Sequence, residues 1–467
     1  MTLEISKKAL IVFLACILLL LPCLRTAHGG GLSIKKETEL GEKFLAQIKA
    51  RFQFLEDDFA KKYLNDLGSY LAGSLETKPF PLRFYILKEN ELNAFAGPGG
   101  HIFFFSGLIE AFDDLDQLGA VLCHEMGHIS ARHLSERIEQ AKRIGLATLA
   151  GILAGILIGG EGAKALITGS VAAGIQAQLH YSREDERQAD QLGFKYMTAS
   201  CLRPDAMIEV LKKFHTHQWT SPGKAPSYLL THPTGPERMA NLDSMLKTYR
   251  PCPKLPKEVE RFRQEFPFFK AAVRAECAPT GLAEAKFKQD LSASPLKAAA
   301  HFGLGIVYTN KGMFAQALEH LNKALHLRPH YAPIMKQIAE THLLAGNYEE
   351  ARRVLEDAAQ IDPEDHEIQY LLAKAYQNLG RHRDAIMLFE RLRAKGSKKE
   401  RLLYHLGISY GRLGQIAKAH YCFGLFFRKQ GKKAKAKFHF HKALEHASSD
   451  PELRSKILKL LQGGNKD

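Results

Sequence analysis

The chain has 467 residues, too many for one ordinary hydrophobic core, so two or three domains are expected. An apolar share of 45% excludes a disordered or fibrous protein. Lysine and arginine outnumber aspartate and glutamate by 65 to 50, a net charge of +15. With no arginine-rich arm, zinc finger or RNA-binding signature, this excess reads as a solvated basic surface or as contact with acidic partners or the periphery of an anionic membrane, and not as nucleic-acid binding.

Residues 1–29 read as an export signal. Lys7 and Lys8 precede an uncharged stretch from Ala9 to Leu24, and Ala27-His28-Gly29 is a small-x-small cleavage site. Cleavage near Gly29 would release an exported mature chain; an uncleaved anchor is the alternative, although the apolar run is short for a membrane span. Of seven cysteines, Cys16 and Cys23 leave with the signal. Cys123, Cys201, Cys252, Cys277 and Cys422 remain, an odd set with at least one free thiol, and Cys252–Cys277 is the disulfide expected in an oxidising compartment.

From Lys35 to Leu75 the chain has helical period, with Leu40, Phe44, Ile48, Phe52 and Leu55 on the buried face. Two short strands follow, Leu82 to Leu87 and Ile102 to Phe105, joined by a segment from Asn93 to Gly100 whose glycines and proline call for a tight turn. Such strands form either a plain hairpin or an edge on which an extended peptide pairs.

The next segment contains His124-Glu125-Met126-Gly127-His128. Asp114 and Gln117 form a capping box before it, and Leu115, Leu118, Leu122, Met126 and Ile129 make one apolar line, so the histidines sit on a helix. Residues four apart share a helix face, which lets His124 and His128 point two imidazoles at one metal ion, with Glu125 placed as general base. The apolar segment 144–177 reads as a helical lid over the active site, with a membrane hairpin as the alternative. Beyond it, Tyr181 to Asp190 is a charged helix ending in ExxAD. A zinc peptidase needs a third protein ligand, which is Glu186, and Asp190 one turn later can hold a ring N–H of a ligating histidine. His133 and His180 are alternative ligands by proximity alone.

These motifs, with NAFAGPGGHIFFFSGL before them and THPTGPERM after, resemble the HtpX-type and prenyl-protease-type family of zinc endopeptidases over about residues 35–250. The resemblance implies a mainly α gluzincin metallopeptidase domain with a small β-sheet and one Zn2+ per subunit. It carries His124, His128 and Glu186 as ligands, Glu125 as catalytic base, Asp190 as the carboxylate behind a histidine, and His232 and Arg238 near the substrate oxyanion. A fixed cation or imidazole N–H suits that charge. His232 has a second option, occupying the fourth metal position as a latch while the lid is closed.

Pro251, Pro253 and Pro256 mark a boundary. Gly312, Gly346, Gly380 and Gly414 then recur every 34 residues, as do Ala317, Ala351, Ala385 and Ala419. This is the tetratricopeptide pattern of paired helices, four units and a partial fifth, building an α-solenoid that recognises partners. The expected divisions are 1–29 signal, 30–250 zinc metallopeptidase, 251–290 linker and connecting helices, 291–447 repeats, and 448–467 capping helix and tail. An exported peptidase of this type joined to such repeats resembles the periplasmic beta-barrel assembly-enhancing protease group. That resemblance implies unfolded or misassembled envelope proteins as substrates and the outer-membrane assembly machinery as a partner of the repeats. A chaperone or scaffold with a latent or vestigial peptidase site is the rival reading.

Overall fold

The computed structural model describes residues 32–140, 153, 181–220, 227–233, 235–397, 399 and 401–463. The expected export signal, the segment 144–177 expected to form a lid or a membrane hairpin, except Leu153, and His180 lie outside them.

The first expected helix is two. Helix α1 (Ile34–Arg51) ends where Phe52 becomes extended, and α2 (Asp58–Ala72) starts afresh because the Asp57 carboxylate accepts the Ala60 N–H at 2.7 Å. Between them Phe54 bridges Leu87.

The sheet also departs from expectation. Strands β1 (Arg83–Leu87) and β3 (His101–Phe105) pair in parallel, so they are not a hairpin. The intervening segment supplies its own strand, β2 (Ala94–Gly97), antiparallel to β3, giving the order β1-β3-β2. The tight turn lies only at Gly99 and Gly100, both at positive φ. Among the described residues no strand pairs with the outer edge of β2.

Helix α3 (Ser106–Ala111) leads to α4 (Leu115–Ala131), which carries both metal-spaced histidines and is capped at Asp114, whose carboxylate accepts the Gln117 N–H at 3.0 Å. The left-handed Arg132 ends it, and α5 (His133–Gln140) sets off in a new direction. Helix α6 (Arg183–Ala199) packs along α4, followed by α7 (Ala206–Thr220), α8 (Ser227–Thr231) and α9 (Pro236–Leu246). The disulfide joins Cys201 to Cys252 and leaves Cys277 free, so the expected Cys252–Cys277 pair is not formed. Cys201 and Cys252 are distant in sequence and meet because the end of α6 and the segment after α9 converge.

The segment at 251–290 forms α10 (Lys257–Cys277) and α11 (Thr280–Ala293). Helix α10 packs against α2, α3, α4 and α12 (Ala298–Asn310), so one hydrophobic core continues from Leu55 to Ile338 across both halves of the chain. Asp116, buried at the start of α4, is clasped by Arg263 of α10 at 2.6 and 2.9 Å and by Arg203. The repeats run α12 with α13 (Phe314–Leu327), α14 (Ala332–Leu344) with α15 (Tyr348–Ile361), α16 (His366–Asn378) with α17 (His382–Ala394), and α18 (Leu402–Arg412) with α19 (Ile416–Lys429). Helices α20 (Lys433–Glu445) and α21 (Pro451–Gly463) follow. The glycines of the 34-residue period take positive φ between the helices of each pair, and the periodic alanines are buried. Lys399, after α17, returns to bridge Glu367 and Asp58 of the N-terminal half.

Candidate metal centre

Two glycines let α4 and α6 approach closely enough to share a site. A Cβ on Gly127 of α4 would stand 2.8 Å from the Ala189 carbonyl oxygen of α6, and one on Gly193 of α6 would stand 3.2 Å from the His124 backbone nitrogen. This contact brings Glu186 and Asp190 beside His124 and His128. Helix α8 then delivers His232, whose N–H donates to the Tyr228 carbonyl at 2.9 Å.

His124, His128, Glu186 and His232 each offer one donor atom, all within 4.8 Å of one another, and all four residues are buried. His124 Nε2 lies 3.1 Å from His128 Nε2 and 3.5 Å from Glu186 Oε2, while His128 Nε2 lies 3.3 Å from Glu186 Oε1. His232 Nδ1 lies 2.9 Å from Glu186 Oε1 and 3.4 Å from His124 Nε2. Glu125 is fully buried, with its Oε1 3.6 Å from His232 Nε2 and accepting from the Tyr228 hydroxyl at 3.4 Å. Glu125 Oε2 and His232 Nε2 are buried with no hydrogen-bond partner among the described residues. Converging imidazole nitrogens and a carboxylate, with orphaned polar atoms beside them, fit a metal ion.

Arg238 completes the charge balance. Its Nε and Nη2 donate to the two oxygens of Asp190 at 2.8 and 2.7 Å, and its Nη1 stands 2.6 Å from Glu186 Oε2. Asp190 Oδ1 lies 3.0 Å from His124 Nδ1, on the side of the ring away from the cluster. Burial alone would depress His124, but Asp190 and Glu186 outweigh it and push the imidazole up to about 9. Burial keeps His128 well below the ordinary imidazole range despite Glu186. Burial would raise Glu186, yet His232 and Arg238 hold it well below the carboxylate range. Against burial, Arg238 and His124 likewise hold Asp190 low. Burial, with Glu125 close by, raises the Tyr181 and Tyr228 hydroxyls far above their usual range, so both stay neutral.

All seven residues singled out from the sequence lie in this one cluster and its immediate surround, although Arg238 has its donors engaged by carboxylates. Sequence reasoning missed the aromatic walls. Tyr228 stacks on His232 at 4.4 Å between ring centroids, and Tyr181 covers His128 at 4.0 Å. Tyr228 precedes His232 by four residues, one helical turn, the only signal that would have found it. His133 is not part of the donor set and sits behind His128. The cavity lined by His124, Asp190 and Tyr228 holds about 20 Å³, room for a single water and no peptide.

Residues 60–246 match the family model of peptidase family M48, and tetratricopeptide repeat models match residues 281–332, 309–375 and 342–406. Residues 60–246 are an M48 peptidase domain. A metal ion belongs to that family's chemistry, and the donor set suits one. The beta-barrel assembly-enhancing protease of Yersinia pestis is 30% identical over 237 residues, covering 50% of this chain and 49% of its own. The Escherichia coli (strain K12) protein of that name is 30% identical over 234 residues, 50% of this chain and 48% of its own. The mitochondrial metalloendopeptidase OMA1 of Schizosaccharomyces pombe is 27% identical over 162 residues, 35% of this chain and 46% of its own. The chain thus spans about half the length of the curated relatives it matches. Among the described residues no helix is long and apolar enough to cross a membrane.

Proposed function

We propose that the chain is a zinc-dependent endopeptidase of the periplasm that cleaves misfolded or stalled outer-membrane proteins, its repeats holding clients or the assembly machinery. The observation that carries this reading is the buried convergence of His124, His128 and Glu186 with Glu125 beside them. Zinc held there would polarise a peptide carbonyl and make water nucleophilic near neutral pH. Glu125 takes the proton from water and passes it to the leaving amine. Asp190 orients His124, and Arg238 keeps Asp190 and Glu186 ionised. The outer edge of β2 is the natural seat for an extended substrate, since α4 packs beside it.

His232 acts as the latch in this reading. It already lies among the donor atoms, and a metal held by all four side chains would offer no open position to a substrate. Burial of β2, Glu125 and His232 is consistent with a closed, latent state, and also favours the second reading, a chaperone or scaffold whose peptidase site stays shut. The test is cleavage of an unfolded β-barrel protein by the zinc-loaded chain with and without chelator. Fragments that disappear on chelation and return with zinc support the peptidase, and His232→Ala should increase them. Reduced cleavage by His232→Ala with zinc retained assigns His232 to the oxyanion instead, and no cleavage by either protein favours the scaffold.

A further inference from the structure

The two metal-spaced histidines are held from behind in different ways. His124 Nδ1 faces the Asp190 carboxylate, whereas His128 Nδ1 lies 3.0 Å from His133 Nδ1, with the rings edge to face at 5.0 Å. A neutral imidazole has one N–H and one lone pair, so a contact between two ring nitrogens requires one of each. His128 Nε2 points toward His124 Nε2 and Glu186 Oε1, and as a metal donor it must present its lone pair there. Its proton then resides on Nδ1, and His133 Nδ1 must accept it. That leaves the His133 proton on Nε2, where the partner at 2.9 Å is the side-chain oxygen of Gln188, an acceptor. Only one set of tautomers satisfies every contact from Gln188 through His133 to His128.

The backbone explains why residue 133 reaches this position. In a continuous helix a residue five places after His128 would point well away from it, since each residue turns the chain by about 100°. Arg132 interrupts the helix in the left-handed conformation at φ 60, and α5 begins by folding His133 back against the His128 ring. Tyr181 covers another face of that ring, so His128 has little freedom to rotate. Gln188 comes from α6, two residues after Glu186, which ties this support to the helix that supplies the third ligand.

We infer that His133 is the positioning residue for His128, accepting the His128 Nδ1 proton so that His128 Nε2 keeps its lone pair aimed at the metal, with Gln188 fixing His133 in that role. The inference rests on the metal site proposed above.

Zinc affinity, read by competition with a chromophoric chelator, tests it without reference to catalysis. His133→Phe keeps a ring but offers no acceptor, and should weaken zinc binding by about 10–100-fold, as loss of a partner behind a metal-bound histidine commonly does. His133→Asn places an amide oxygen where Nδ1 stood and should retain affinity within about threefold. Gln188→Leu, at an exposed position where folding is not at stake, should weaken binding severalfold by leaving the His133 tautomer unset. Unchanged affinity in His133→Phe overturns the inference, as does an equal loss in His133→Phe and His133→Asn. Should His133→Phe fail to fold, unchanged affinity in Gln188→Leu overturns it in its place. A wild-type chain that binds no zinc removes the metal reading itself, a result distinct from all of these.

Discussion

Arg238 separates two accounts of the site. The family resemblance places it near the substrate oxyanion, whereas its guanidinium is bonded to both oxygens of Asp190 and stands 2.6 Å from Glu186. Arg238→Met keeps much of the volume and removes the charge, leaving two buried carboxylates without their cation. Breaking a buried ion pair by removing one partner costs about 3–5 kcal/mol. For a unit of roughly 200 residues each kcal/mol lowers the melting temperature by roughly 2–4 °C, so the metal-free variant should melt on the order of 10 °C lower. Zinc bound as proposed would supply positive charge beside Glu186, so the loss should shrink when the metal is added. The assay is thermal unfolding followed by circular dichroism, with and without zinc. A metal-free melting temperature unchanged within about 2 °C, together with a lowered kcat, would refute the reasoning and return Arg238 to the oxyanion.

Other consequences concern the scaffold around the site. Gly127→Ala puts a methyl 2.8 Å from the Ala189 carbonyl oxygen, so it should force α4 and α6 apart, costing about 1–3 kcal/mol in unfolding experiments and weakening zinc affinity in the same protein. Asp116→Ala removes the buried carboxylate that Arg203 and Arg263 share; both guanidinium groups are partly exposed and Arg203 keeps other carboxylates, so urea titration should report a loss of about 1–3 kcal/mol. His101, buried on β3 with Arg83 nearby, is pushed down to about 4. The unfolded chain therefore binds the proton more readily than the folded one between pH ~6.5 and ~4, and stability should fall by up to ~3 kcal/mol as the pH drops through that window. His101→Phe should flatten that slope in melting curves taken across the same range. Non-reducing peptide mapping should recover a Cys201–Cys252 peptide, and reducing that bond should cost about 2–4 kcal/mol.

The parts of the molecule legible in the sequence are those governed by helical spacing. His124 and His128 four apart, Glu186 and Asp190 four apart, and glycines every 34 residues each state a local geometry that tertiary packing left alone. The sheet was less legible because Ala94, Ala96 and Gly97 have little strand propensity, and they join it only through burial against β3 and α4. The helical stretch read from Lys35 to Leu75 is broken in two because Asp57 caps a second helix after Phe52 turns extended. Cys201 meets Cys252 through the path of three helices, which no local pattern encodes. His133 was invisible as a support for His128 because the left-handed Arg132, and not spacing, brings it there. Gly127 and Gly193 matter only once the two helices are seen to cross.

The central claim is that this chain hydrolyses peptide bonds at a zinc ion with Glu125 as base, and one paired measurement on wild-type and Glu125→Gln proteins addresses it directly. Zinc content and cleavage of an unfolded outer-membrane protein are determined on the same preparations. The account predicts one zinc per chain in both proteins, with cleavage by the wild type and none above background by Glu125→Gln. Equal cleavage by the two proteins, or a wild type that cleaves without zinc, would contradict it.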